Sequence, residues 1–131
     1  MVEKTVLIDD SDIDLFIQRR FLEVYGFSSK LIVYKSAKEA LNWLQKLNGE
    51  APPDVIFLDL NMPDVDGFGF LKGFESLEDG IKGKTRIVVL TSSNSLQDRK
   101  MAFENKNVIH FITKPLKQSD IEELNGMISK N

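Results

Sequence analysis

Three aspartates, one threonine and one lysine are the residues whose types and spacing could do chemistry: Asp9, Asp10, Asp59, Thr91 and Lys114. Each closes or directly follows a short apolar run. Taken singly, each has an ordinary use: Asp after a strand caps a turn or helix, Thr favours strands, and Lys before Pro is a solvated loop residue. Their joint placement, at matching points of successive chain units, is harder to dismiss. Two carboxylates about 4 Å apart repel by roughly 4 kcal/mol at an effective dielectric near 20. Three of them need a counter-charge, or one protonates. With oxygen donors, no Cys and no nearby His, the ion that suits is Mg²⁺, which keeps several waters and takes one or two carboxylates. The remaining positions suit phosphate oxygens, and a carboxylate beside them can attack phosphorus. Lys114 adds a second positive charge and Thr91 a hydroxyl. Charge stabilisation and positioning are most of what phosphoryl transfer needs.

Five apolar runs must bring these groups together: residues 5–9, 30–34, 55–59, 86–91 and 108–113. The first, third and fourth are nearly continuous in apolar character, as strands covered on both faces of a parallel sheet should be. The stretches between them read as helices. Ile13, Ile17, Phe21 and Val24 recur at helical spacing, as do Ala37, Ala40, Leu44 and Leu47. Ser36 and Glu39 form a capping-box pattern, and Gly26 suits a left-handed C-cap. Ile121, Leu124 and Ile128 mark a last helix. The stretch 95–105 has Leu96 and Phe103 on one face with Arg99 and Lys100 between them, a weak stripe that suits a mobile helix. Residues 77–84, with Gly80 and Gly83, read as a solvated loop. Strand–helix alternation predicts an α/β fold with a parallel sheet, helices on both faces, and ligands at the carboxyl ends of the strands.

The chain has 131 residues, 42% of them hydrophobic and 28% charged, which fits one domain that folds without a staple. It has no cysteine, which excludes disulfides, thiolate metal sites and cysteine nucleophiles. A formal net charge of −3 argues against nucleic acid. The apolar runs are too short for a signal peptide core or a membrane span, so the expected location is cytoplasmic.

The segments Val6-Leu7-Ile8-Asp9-Asp10, Asp59-Leu60-Asn61-Met62-Pro63, Gly67 eight residues after Asp59, Val88-Val89-Leu90-Thr91-Ser92 and Phe111-Ile112-Thr113-Lys114-Pro115 resemble the receiver domain of bacterial two-component response regulators. The resemblance covers essentially the whole chain. It implies a doubly wound, flavodoxin-like (βα)5 fold with strand order 2-1-3-4-5. It implies Asp59 as phosphoacceptor, and Mg²⁺ held by Asp10, Asp59 and the backbone carbonyl of Asn61, with Asp9 acting through water. Thr91 is then the switch hydroxyl, Lys114 the cation that pairs with the phosphoryl group, and the bond to Pro115 cis. Phe111 stands at the switch-aromatic position. It replaces the frequent Tyr, so it can turn inward but cannot offer a hydroxyl. Asn61 and Ser93 lie where the family tunes autodephosphorylation.

The implied partners are a sensor histidine kinase or histidine phosphotransfer protein that supplies the phosphoryl group, and a downstream target protein. Nucleic acid and membrane are not expected, and the chain is expected to be a monomer or weak homodimer. Because the resemblance fills residues 1–131, no output domain is expected, and no catalysis beyond its own phosphorylation and dephosphorylation. A flavodoxin-like cofactor binder needs a phosphate-cradling loop after the first strand, where this chain has Asp9-Asp10-Ser11-Asp12. A haloacid-dehalogenase-type phosphatase is mimicked by Asp10-Ser11-Asp12 but lacks the Thr or Val that should follow. An EF-hand fails because Leu15 stands where Gly is required. A phosphohistidine carrier would have to use His110, which lies within the fifth run. A receiver degenerate in its site is opposed by the presence of all five residues.

Overall fold

The computed structural model describes residues 2–128. The five apolar runs form strands β1 (Val2–Ile8), β2 (Ser28–Tyr34), β3 (Val55–Leu58), β4 (Arg86–Thr91) and β5 (Val108–Thr113). All neighbouring pairs are parallel, in the order β2-β1-β3-β4-β5. This is the expected doubly wound, flavodoxin-like α/β architecture. β1 and β2 begin at Val2 and Ser28, earlier than their apolar character suggests, because they pair from Val2 opposite Ser28 onward. The connecting helices are α1 (Asp12–Val24), α2 (Ala37–Gln45), α3 (Gly67–Glu75), α4 (Asp79–Lys82), α5 (Leu96–Phe103) and α6 (Gln118–Ile128).

Alternation along the buried strands sends side chains to both faces of the sheet. Val6, Ile8, Ile56, Leu58, Ile87 and Val89 pack with Ala40 and Leu44 of α2, Phe70 and Phe74 of α3, Ile81 of α4 and Ala102 of α5. Leu7, Phe57, Val88, Leu90 and Ile112 pack on the other face with Leu15 and Leu22 of α1 and Ile121 and Leu124 of α6. The expected apolar faces of α2 and α6 are thus in the core, although Ile128 is only half-buried. Ser36 caps α2 by accepting from the Glu39 amide at 3.2 Å. Gly26 follows α1 with φ of 59°, the left-handed conformation expected there.

Two expectations change. α1 turns a different face to the core: Leu15, Gln18 and Leu22 are buried, while Ile13, Ile17 and Val24 are 73%, 50% and 66% exposed. Both series recur every three to four residues, so periodicity alone does not choose between them. Residues 77–84 are a solvated loop only in part: residues 78–80, 83 and 84 are exposed, but Leu77 and Ile81 are buried. The stretch holds the single turn of α4, which buries Ile81 and Leu77 beside α3.

α5 is unevenly attached. Its C-terminal end is anchored by buried Ala102 and by Asn105, whose side-chain amide donates to the Leu71 carbonyl at 3.2 Å. Its first residue, Leu96, is 83% exposed, and Phe103 is also exposed rather than paired with it in the core. Polar contacts hold the N-terminal end: Ser95 accepts from the Asp98 amide at 3.2 Å, and the Ser93 hydroxyl donates to Asp98 at 2.7 Å.

Candidate functional site

Asp9 leaves β1 and is 1% exposed. Both of its oxygens accept hydrogen bonds. Oδ1 accepts from the Ser11 amide at 2.9 Å, and Oδ2 accepts from Gln18 Nε2 at 3.1 Å and from Lys114 Nζ at 2.8 Å. Asp10 follows and is exposed. Asp59 leaves β3, its amide donating to the Ile8 carbonyl at 3.0 Å, so the two strand ends lie side by side. Its Oδ1 accepts from the Asn61 amide at 3.3 Å and its Oδ2 from Lys114 at 3.4 Å.

The backbone after Asp59 is gripped by α3. The Gly67 amide donates to the Leu60 carbonyl at 3.0 Å. A Cβ at Gly67 would sit 2.6 Å from both the Asp59 carbonyl oxygen and Leu60 Cα. Only glycine permits that approach, which explains why a glycine belongs eight residues after the aspartate.

Thr91 ends β4, fully buried, with Asn61 Nδ2 and the Ser93 amide each 3.4 Å from its hydroxyl oxygen. Its carbonyl accepts from the Lys114 amide at 2.8 Å, and the Lys114–Pro115 bond is cis. Lys114 thus crosses the strand ends, with Nζ 2.8 Å from Asp9, 2.8 Å from Asp14 and 3.4 Å from Asp59.

The charges explain one another. Burial raises the Asp59 carboxyl above its ordinary range, and the Asp9 charge raises it further; Lys114, the Asn61 amide and the Thr91 hydroxyl pull the other way without cancelling this. Burial works to lower the Lys114 ammonium, but hydrogen bonds from Asp14 and Asp9 and the charges of Asp59 and Asp9 outweigh it and raise it. Lys114 is therefore cationic throughout the neutral range.

Asp9, Asp10 and Asp59 offer carboxylate oxygens that all lie within 4.8 Å of one another. One cation cannot neutralise so dense an acidic cluster, and the donor set is hard oxygen. Both facts fit a hard divalent cation of the Mg²⁺ class.

On the opposite side of β5, Phe111 is turned inward and buried with Val89 and Ala102. The Arg99 guanidinium of α5 lies 5.8 Å from the Phe111 ring centre and 5.3 Å from that of Phe103. His110 is half-buried in β5 with Nε2 3.1 Å from Glu123.

The structure brings Asp9, Asp10, Asp59, Asn61, Thr91 and Lys114 together at the carboxyl ends of four strands. Asp14 and Gln18 also reach this cluster, and Arg99 reaches the Phe111 ring; sequence reasoning missed all three contacts. A signal for the first two exists in the chain. Asp14 and Gln18 are spaced four apart, one helical face, and a glutamine inside a buried apolar stripe needs a polar partner.

The profile of the family described as "Response regulator receiver domain" matches residues 5–125. "Probable methanogenesis regulatory protein FilR2" of Methanothrix harundinacea is 29% identical over 119 residues, 89% of this chain and 75% of that protein. "Hybrid signal transduction histidine kinase L" of Dictyostelium discoideum is 26% identical over 131 residues, all of this chain but 8% of that protein. The chain therefore spans only a small part of some relatives. A two-component response regulator from Cytophaga hutchinsonii shares the fold at a TM-score of 0.91 and 24% identity, covering 99% of this chain and 98% of that one. A response regulator receiver protein from Dyadobacter fermentans has a TM-score of 0.86 at 28% identity, with 98% of each chain covered. The strand-end cluster, the parallel sheet that assembles it and the profile match over residues 5–125 agree: this chain belongs to the response regulator receiver domain family of two-component phosphorelay signalling.

Proposed function

We propose that this protein accepts a phosphoryl group on Asp59 from a phosphohistidine on a histidine kinase or phosphotransfer protein, and signals through a change in its protein-binding surface. A carboxylate oxygen of Asp59 attacks phosphorus in line. The P–N bond to imidazole breaks, its electron pair stays with the leaving ring, and an acyl phosphate forms. Asp9, Asp10, Asp59 and the Asn61 carbonyl would hold Mg²⁺, which when bound offsets the charge on the phosphoryl oxygens. Lys114 pairs with one of those oxygens and Thr91 donates its hydroxyl to another. The modification adds about one to two negative charges. Thr91 and Phe111 then shift together, carrying α5 and the surface of α5, β5 and α6 between two existing states.

One observation carries this reading: Lys114 lies within 3.4 Å of a buried aspartate whose oxygens share a 4.8 Å cluster with two further carboxylates. Ile13, Phe16, Ile17 and Val24 add support for a protein partner, because they leave an exposed apolar strip beginning just after Asp10. The chemistry is done on the protein's own carboxylate, so no turnover of an external substrate is expected. Among the described residues no helix is long and apolar enough to cross a membrane. The reading places the protein in the cytoplasm of a bacterium as a monomer or weak homodimer.

Incubation with a small acyl phosphate and Mg²⁺ should add one phosphate, and Asp59→Asn should abolish it. Persistent labelling of that variant overturns the assignment. Mg²⁺ should raise the melting temperature of the wild type by mass action. An equal rise in Asp10→Ala would remove Asp10 from the ligand set.

A further inference from the structure

We infer that Asp14 is a positioning residue that holds Lys114 in reserve and competes with the phosphoryl group for it. The inference rests on the reading of Asp59 as phosphoacceptor. An ammonium has three hydrogens to donate, and in Lys114 all three are directed at carboxylates. The two short contacts, both 2.8 Å, go to Asp9 and Asp14, and the phosphoacceptor has the long one at 3.4 Å. The resting position of this cation is therefore set largely by Asp9 at the end of β1 and Asp14 of α1, and not by the group it must serve.

The three carboxylates differ in what they can give up. The Asp9 side chain is 1% exposed, so losing Lys114 would leave a buried charge short of a partner. The Asp14 side chain is 38% exposed, so water can replace the ammonium there at little cost. When Asp59 carries a phosphoryl group, its oxygens reach past the old carboxylate and need a hydrogen from Lys114. The contact surrendered is the one to Asp14. Asp14 is fixed for this task by its place in the first turn of α1, where its amide donates to the Ser11 cap at 3.2 Å. Asp12, two residues earlier, pairs instead with Lys35 at 2.8 Å and supplies a matched control charge on the same helix end.

The test measures the labelling rate with a small acyl phosphate and Mg²⁺ in wild type, Asp14→Asn, Asp14→Glu and Asp12→Asn. Asp14→Asn should label about two- to fivefold faster, the range that a part-exposed ion pair spans. Asp14→Glu restores the carboxylate and should bring the rate back toward wild type. Asp12→Asn should not reproduce the gain. A rate that is unchanged or slower in Asp14→Asn overturns the inference, as does an equal gain in Asp12→Asn, which would reveal bulk charge instead of a held lysine. A second readout needs no metal and no label: in a melting cycle of Asp14→Asn with Lys114→Ala, the two losses should be non-additive, and additivity overturns the pairing. Absence of label from the wild type would overturn the phosphoacceptor reading instead, so the two failures are distinct.

Discussion

Gly67→Ala isolates the contact between α3 and the loop that follows Asp59. The added methyl would lie 2.6 Å from the Asp59 carbonyl oxygen and from Leu60 Cα. Both are backbone atoms, so no rotamer change relieves the clash. Carbon–oxygen contacts sit at about 3.3–3.6 Å, so α3 or the loop must yield by about 0.7–1.0 Å. Overpacking of this kind costs about 1–3 kcal/mol, which lowers the melting temperature of a domain this size by roughly 4–15 °C. The loop is the softer of the two partners, since α3 is fixed by buried Phe70 and Phe74. Asp59 is then displaced relative to Lys114, and a misplacement near 1 Å costs on the order of 10²-fold in rate. Thermal melting in metal-free buffer measures the first effect, and the rate of labelling by a small acyl phosphate measures the second. An alanine variant with both unchanged would refute the close approach and with it the claim that α3 sets the position of Asp59.

Gly126→Ala serves as the opposite case. A Cβ there meets nothing within 4 Å inside α6, so the variant should gain about 0.5–1 kcal/mol from helix propensity, read by denaturant unfolding. Gln18→Leu keeps the volume but removes the hydrogen bond to the Asp9 carboxylate; unfolding should show a loss of about 1.5–3 kcal/mol, the range for bonds to charged groups. The Asp59 carboxyl is raised in the folded state, so its ionised form opposes folding. That penalty is complete above the folded value and disappears as pH falls through it toward the ordinary 3.8. Metal-free Asp59→Asn should therefore melt above wild type at pH 7, with the gap closing in acid; a gap that widens as pH falls would contradict the sign.

Those elements that do one thing were readable in the chain. β1, β3 and β4 are buried on both faces, and continuous apolar runs ending in Asp or Thr announce both the strand and the ligand edge. The stretch 77–84 was not readable as helix, because α4 is a single turn whose helical character depends on Ile81 finding the side of α3. α1 carries two competing stripes, and the apolar one, Ile13, Ile17 and Val24, faces solvent. The buried stripe contains Gln18, whose place inside is justified only by Asp9, a partner that folding brings to it. Asp14 was hidden for a related reason: its charge looks like ordinary helix N-terminal acidity, and its actual partner lies 100 residues away. The core of the site follows from residue type and spacing, whereas the groups that position it follow from tertiary contacts.

The uneven attachment of α5 makes it a lever with a fulcrum. Ala102 and Asn105 fix one end, and the Ser93–Asp98 and Ser95 contacts that hold the other can be broken by a small change in the turn after Thr91. Displacement then grows with distance from the fulcrum. Over eight residues, about 12 Å of helix, a tilt of about 10° carries the free end by about 2 Å while the fixed end stays in place. A target that grips the Leu96 end would therefore sense the full stroke, and one that grips the Asn105 end would sense almost none.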